Sequence, residues 1–317
     1  MKTKVGITVV IPNWNGKELL KRNIPSLIEA LDYHGGNYEI IVVDDASTDG
    51  SPQFISNTYP FVRLLTLERR HGFSGAVNSG VNVARYDILL LLNSDIRVQK
   101  NFLSPLLSYF DDETTFAVSN KAMKDDNAAL TRPHYMEFKY GFMREVYLPK
   151  QNDPAYAFGA SGGHGLFDRK KFLQLGGFDE IYSPFYYEDA DLSYRAWKRG
   201  YRVYYEPSSI VYHEHQATIS KSFSRRYISF IFNRNRFLFL WKNLTDSKLI
   251  LQHCLVVIPY LFWNLFKNPV IFLSFIAAFV KLPLLLTIRK KEKSFIRYGD
   301  REVLQFIGTK LWRRYQQ

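Results

Sequence analysis

The stretch Asp87-Ile88-Leu89-Leu90-Leu91-Leu92-Asn93-Ser94-Asp95 restricts the fold more than any other. An unbroken Ile/Leu run this short leaves no side of a strand for solvent, so the strand must be covered on both faces of a sheet. Open α/β sheets place ligands just beyond the carboxyl ends of such strands. Asp95 stands at that edge. Two readings are open there. Asn, Ser and Asp are all good turn formers, and a carboxylate is also a hard ligand that can hold a metal ion against a phosphorylated molecule.

The sequence around this run alternates strand and helix signals. Residues 4–12 (KVGITVVIP) are β-branched and short, hence a strand. Between Lys17 and Leu31, apolar residues recur at helical spacing, among them Leu20, Ile24, Leu27 and Ile28. Residues 39–44 (EIIVVD) and 61–67 predict two further strands, and 75–85 a helix of small residues. This order implies right-handed βαβ units and an α/β fold with a mostly parallel sheet flanked by helices. That architecture suits a nucleotide but does not name one. A Gly-x-Gly-x-x-Gly after the first strand and a P-loop are both absent, so a nucleotide must be gripped by other means.

Residues 121–160 read as irregular and polar, with Lys124-Asp125-Asp126-Asn127 a loop. A helix from Arg169 to Leu175 stops at Gly176-Gly177, a glycine C-cap signal. From about Arg225 the texture changes: 226–241 is aromatic and basic, and 249–288 is overwhelmingly apolar. The expected organisation is therefore a domain over 1–224, with a nucleotide-side half to about 120, and a helical region over 225–317. Pro269 to Ile288 has the length of a membrane span and one charge, Lys281. Pro269 and Pro283 bracket it, however, and Pro259 and Lys267 are expected to break the run before it. A bundle of helices lying in the membrane interface fits as well. An internal helical subdomain packed on the sheet is the plainer alternative.

Charge points the same way. The chain has 317 residues, 42 Lys+Arg against 30 Asp+Glu, and a net charge of +12. From Lys281 onward there are ten basic residues against Glu292, Asp300 and Glu302, so more than half of the excess sits beside the apolar stretch. That placement suits anionic headgroups. It does not suit nucleic acid, for which cations interleave with exposed aromatics on a sheet. The single cysteine, Cys254, excludes an internal disulfide and a Cys-based zinc site. The N-terminus runs directly into a strand without a signal-peptide pattern, which implies a reducing, cytoplasmic setting.

Acidic and histidine residues recur at strand ends and turns. After the second strand comes Asp44-Asp45-Ala46-Ser47-Thr48-Asp49-Gly50, in which an Asp can accept from a pyrimidine N–H, and Ser47 or Thr48 can cap the next helix. Equally, all of these are ordinary turn and cap residues. Tyr186-Tyr187-Glu188-Asp189-Ala190-Asp191 puts three carboxylates within four residues. They favour a helix N-terminus, or one of them is a general base aimed at a hydroxyl proton. Val211-Tyr212-His213-Glu214-His215 ends an alternating strand, on which His213 and His215 share a face. A histidine in such a place is metal-ligand material, though more often it is neither ligand nor catalyst.

In this order the motifs resemble an inverting family 2 glycosyltransferase of GT-A (Rossmann-like) fold, closest to the rhamnosyltransferase-like enzymes of bacterial surface polysaccharides. The resemblance spans about residues 5–242. Val9-Val10-Ile11-Pro12-Asn13-Trp14-Asn15 is similar to the family's opening strand and loop, and Gly72-Phe73-Ser74-Gly75-Ala76-Val77-Asn78 to its glycine-rich segment. The resemblance implies a donor nucleotide site of Pro12, Asn13, Asp44, Asp45, Asn78 and Ser94, with Asp45 on the pyrimidine. It implies Asp95, in the Asn93-Ser94-Asp95 variant of the Asp-x-Asp motif, and His213 as ligands of Mg²⁺ or Mn²⁺. It makes Asp189 the base, with Gly162, Gly163, Glu188 and Asp191 on the acceptor side; for Asp191, helix capping is the preferred role. Arg234-Asn235-Arg236 and Lys242 resemble the subgroup's region after the catalytic domain.

The expected activity is transfer of one sugar from a UDP- or dTDP-sugar to a hydroxyl of a lipid-linked or oligosaccharide acceptor, at the cytoplasmic face of the membrane. A Gln-x-x-Arg-Trp motif is missing, so the expected mode is non-processive. Arg69-Arg70-His71 stands where the family commonly has Asn, a departure that puts a cation near the donor. The alternative is a nonenzymatic nucleotide-sugar or glycan-binding protein with an inactive transferase domain.

Overall fold

The computed structural model describes residues 5–124, 128–130, 134–147, 153–213 and 222–314, with backbone alone over 308–314. Its centre is a nine-stranded mixed sheet in the order β3-β2-β1-β4-β10-β6-β11-β5, with β9 also on β11. The first four strands, β1 (Ile7–Asn13), β2 (Tyr38–Asp44), β3 (Arg63–Thr66) and β4 (Ile88–Leu91), are mutually parallel, as strand–helix alternation predicts. β4 is buried at every residue, which is why its sequence carries no polar position.

The helices α1 (Lys17–His34), α2 (Ser51–Thr58) and α3 (Gly72–Asn82) connect these strands. α3 begins three residues before the expected helix because its glycines let it lie close to the sheet. A Cβ on Gly80 would come within 2.5 Å of Val10 and 2.9 Å of Val43. The parallel register aligns Asn13 with Asp44, so the ends of β1, β2 and β4 open onto one edge.

The second half of the sheet is where the sequence was least readable. After α4 (Leu103–Leu107) come β5's neighbour strands in an order no local pattern dictates. β5 (Ile96–Val98), β9 (Ala155–Tyr156) and β10 (Leu166–Asp168) are two or three residues long and pair antiparallel. β6 (Thr115–Met123) and β11 (Arg202–His213) are long and parallel to each other. Part of the stretch expected to be irregular is the hairpin β7 (His134–Lys139) and β8 (Phe142–Tyr147). Its turn, Tyr140-Gly141, has positive φ at both residues, the geometry that matches strand twist. The loop expected at 125–127 lies outside the described residues.

Two short helices follow, α5 (Arg169–Gln174) and α6 (Glu188–Lys198), and then the C-terminal helices. These are α7 (Arg225–Asn243), α8 (Ser247–Lys267), α9 (Pro269–Val280), α10 (Leu282–Glu292) and α11 (Asp300–Arg314). Pro259 does not break the apolar run as expected: it lies inside α8, which continues for 21 residues. A proline forfeits one N–H bond, and packing of Val257 and Leu261 against the core holds the helix on either side. The 269–288 stretch, by contrast, is not straight. α9 and the segment from Leu282 to Phe295 meet at 59°. One apolar cluster joins both parts of the chain, from Leu91 and Phe158 to Phe239, Leu240 and Leu285.

Candidate active site

A cleft of about 290 Å³ opens at the carboxyl edge of β1, β2 and β4. Pro12, Asn13, Asp45, Ser94, Asp95, Gly163, Glu188, Asp189 and His213 all border it. Sequence positions as far apart as 12 and 213 thus converge on one space.

Asp95 and His213 meet because of strand register. β11 runs antiparallel to β5 with His213 opposite Ile96, so the two side chains project side by side at the end of the ladder. His213 Nε2 lies 3.4 Å from Asp95 Oδ2. The other carboxylate oxygen, Oδ1, is buried and has no hydrogen-bond partner. A buried acceptor left unpaired is costly, and a cation there would satisfy it. One carboxylate and one imidazole suit Mg²⁺ or Mn²⁺ with the remaining positions left to ligand and water. Among the described residues no cluster of three or more His, Cys, Asp or Glu side chains has metal-binding geometry. His215 lies outside the described residues.

Behind this pair, His164 is buried, with Nδ1 2.5 Å from Asn120 Oδ1. Burial, and secondarily the nearby His213, push its pKa down to about 3, so it is neutral at physiological pH.

The donor-side residues divide into two groups. Asp45 borders the cleft, and its two oxygens accept from the backbone N–H of His71 (2.7 Å) and Gly72 (2.9 Å). It therefore clamps the α3 entry onto the sheet while keeping lone pairs toward the cleft. Asp44 is wholly buried behind it, accepting from Asn13 Nδ2 and Ser47 N. Asn78, expected at the donor, instead holds the loop before α6: its amide donates to Phe178 O and accepts from Phe178 N. Neither Asp44 nor Asn78 borders the cleft. Ser47 and Thr48 do not cap α2 either. Ser47 Oγ accepts from Asn15 N, while Gly50 occupies the cap position in left-handed backbone.

The acceptor-side set also divides. Tyr186 and Tyr187 both have positive φ (74° and 78°), uncommon for side chains this large. This bend aims the start of α6 into the cleft. Asp189 accepts from Gly162 N (3.2 Å) and Ala190 N (2.8 Å). Burial nonetheless outweighs these bonds and raises its pKa above the ordinary carboxyl range. Glu188 is raised further, by burial first and by Asp189 second, and its Oε2 has no partner.

Asp191 corrects the capping expectation. It is fully buried, facing away from the cleft, and is bound by Arg195 Nε (2.8 Å), Lys242 Nζ (2.8 Å), Tyr182 Oη (2.9 Å) and Asn243 Nδ2 (2.7 Å). The cations Arg195 and Lys242 outweigh desolvation and hold its pKa well below the usual range. Gly163 borders the cleft and Gly162 N–H donates to Asp189, so both glycines lie on the side expected of them. A Cβ on Gly162 would meet Phe178 at 2.9 Å, and one on Gly163 would meet the Asn93 side chain at 2.6 Å. Both are needed for packing of the protein itself.

Sequence reasoning missed Phe185 and Phe223 of the cleft, and for Arg70 and Asn235, which its motifs included, it did not show the partners. Arg70 lies with its guanidinium carbon 3.4 Å from the centre of the Trp14 ring, both on the cleft wall. Phe185, Tyr186 and Phe223 form an aromatic side opposite Asp95. Asn235 is buried on α7, and its amide nitrogen lies 2.6–2.9 Å from the carbonyls of Tyr182, Phe185 and Tyr186, fixing the bend before α6.

Known proteins resemble this chain in sequence and in fold. The chain resembles polypeptide N-acetylgalactosaminyltransferase 3 of Drosophila melanogaster, with 26% identity over 227 residues, 65% of this chain and 34% of that protein. It is 30% identical over 224 residues to the succinoglycan biosynthesis protein ExoO of Rhizobium meliloti, covering 68% of this chain and 62% of that one. The chain thus spans less than two thirds of the length of these relatives. Among solved structures, GalNAc-T7 with UDP, GalNAc and Mn²⁺ superposes with a TM-score of 0.60 at 19% identity over 78% of this chain and 49% of that chain. The mannosyltransferase PcManGT of Pyrobaculum calidifontis, in complex with GDP-Man and Mn²⁺, gives a TM-score of 0.54 at 16% identity, covering 98% of this chain and 86% of that one. These likenesses show the GT-A type of fold. The sequence profile described as Glycosyl transferase family 2 matches residues 8–176, more than half of the chain, and the chain belongs to that family.

Proposed function

We propose that the chain is a metal-dependent, inverting, non-processive glycosyltransferase that moves one sugar from a UDP- or dTDP-sugar, with a rhamnosyl-like donor favoured, to a hydroxyl of a lipid-linked glycan. The observation that carries this reading is the convergence of Asp45, Asp95 with His213, and Asp189 on one cleft. Asp45 and Asn13 orient the nucleobase, with Trp14 as an apolar face beside them. Mg²⁺ or Mn²⁺ held by Asp95 and His213 would neutralise charge on the donor diphosphate and on the departing nucleotide.

Asp189 takes the proton of the acceptor hydroxyl as its oxygen bonds to the sugar's anomeric carbon. The bond from that carbon to the diphosphate breaks, and the nucleoside diphosphate leaves with the electron pair. A carboxylate with a raised pKa is a stronger base than an ordinary one, provided the pH keeps it ionised. Glu188, its pKa raised by burial and by Asp189, lies beside it on the cleft wall and positions the acceptor.

The same proposal sets the enzyme on the cytoplasmic face of the membrane. Ile258, Phe262 and Phe266 on α8 are each 70% exposed or more, and an exposed apolar face of that extent marks an interaction surface. Exposed Lys290 and Lys291 lie in the last turn of α10 and Lys293 just after it, suited to anionic lipid.

Assay of transfer from a panel of UDP- and dTDP-sugars, with Mn²⁺ or with EDTA, tests the reading. Transfer that requires the metal and is lost in Asp95→Ala is expected. Metal-independent transfer, or binding of every nucleotide sugar without turnover, would overturn it. The second outcome would favour a binding protein.

A further inference from the structure

A second cavity, of about 340 Å³, lies among the C-terminal helices, away from the cleft. Its walls are Leu240 from α7, Val257 from α8, Phe275 and Phe279 from α9, and Leu286 from α10. Its few polar groups are already committed. His253 Nε2 accepts from Trp241 Nε1 (2.9 Å) and its Nδ1 sits 2.7 Å from Gly141 O. Arg289 donates to the carbonyls of Trp241 and Leu244. A ligand in this space meets hydrocarbon except at Arg289, whose bonds to the carbonyls run through Nη1 and leave the rest of the guanidinium for an anion.

The cavity opens on the apolar surface. Phe279 is 53% exposed and Leu286 56% exposed, and both line it. Arg289 lines the cavity, and exposed Lys290, Lys291 and Lys293 follow it along the chain. The acid among them, Glu292, is paired with Arg199 at 2.8 Å. An apolar slot with a cationic rim matches one molecule in shape and charge: a hydrocarbon chain joined to an anionic head.

We propose that this cavity takes one acyl chain of an anionic membrane phospholipid, whose phosphate lies against Arg289 and the neighbouring lysines, as an anchor separate from the acceptor. The inference rests on the membrane reading above and deepens it. Binding of a single chain inside a preformed cavity differs from partitioning of the exposed apolar face, so the two are separable.

Cys254 supplies the probe. It is exposed, it lines the cavity, and it is the only cysteine of the chain. Maleimide labelling of the full chain is followed with short-chain phosphatidylglycerol below its micelle concentration, so that no bilayer is present. Labelling should slow about tenfold at saturating lipid, and less with phosphatidylcholine of equal chain length. Leu286→Trp, a substitution at the exposed mouth, should abolish the protection. Leu284→Asp lies on the same helix but outside the cavity lining, and should keep it while weakening sedimentation with anionic vesicles. Absence of protection in the unaltered chain, or protection undiminished in Leu286→Trp, would overturn the cavity. Equal protection by both lipids would overturn the anionic assignment. Failure to sediment with vesicles, with protection intact, would instead overturn the membrane reading.

Discussion

Two sides of helix α6 hold carboxylates with opposite fates. On the cleft side, Glu188 and Asp189 lose solvent without gaining a cation, and both pKa values rise. On the inner side, Asp191 loses more solvent but gains Arg195 and Lys242, and its pKa falls. Burial alone therefore does not decide whether an acid is reactive; the partner does. The inner side is a fastener and the cleft side is kept basic. Lys242 reinforces the fastener by bonding Asp179 at 2.6 Å as well, and Asp300 repeats the device by binding Lys198 at 3.0 Å and the Thr245 and Asp246 amides. Helices from beyond residue 225 thus lock the helix that presents the candidate base.

This contrast can be broken from its inner side first. Asp191→Ala leaves Arg195 buried without its counter-charge and Lys242 with Asp179 alone, and should cost about 3–5 kcal/mol of stability, read from urea unfolding. If the loss is under about 1 kcal/mol, the fastener account fails. Asn235→Ala strips donors from the three carbonyls at the α6 entry. It should cost roughly 1–3 kcal/mol and lower kcat more than it raises KM, since the bend that aims Asp189 relaxes. A smaller effect sharpens the comparison through pH. Asp191 has a folded pKa below its unfolded value of about 3.9, so its contribution is complete above that value and is lost as pH falls through the depressed one. Stability should therefore fall below about pH 4, and the fall should shrink in Asp191→Asn. Asp189 behaves oppositely: its raised pKa should move the acid limb of the pH–rate profile above that of an ordinary carboxylate, as profiles of kcat/KM would show.

The contrast also marks where sequence stops being informative. The parallel half of the sheet is written in local pattern, because the Leu-rich run and the β-branched strands each fix their own burial. Asp45, Asp95 and Asp189 were legible because each follows a strand or opens a helix, where a carboxylate has visible chemical use. Asp191 looked the same in sequence. What distinguishes it is Lys242, 51 positions onward, and no local signal joins them. The contacts of Asn78, Arg70 and Asn235, residues that the motifs did include, escaped for the same reason: their partners are set by how distant segments close. The short antiparallel strands β5, β9 and β10 were hidden because two or three residues carry no periodicity.

The most direct test of the account is a paired measurement on Asp189→Asn: sugar transfer, and donor binding by calorimetry with Mn²⁺. Removal of a general base should slow transfer by about 10²–10⁴-fold while donor affinity changes little, because Asp45, Asp95 and His213 are untouched. Transfer at the unaltered rate would contradict the account, and so would loss of donor binding in step with loss of transfer.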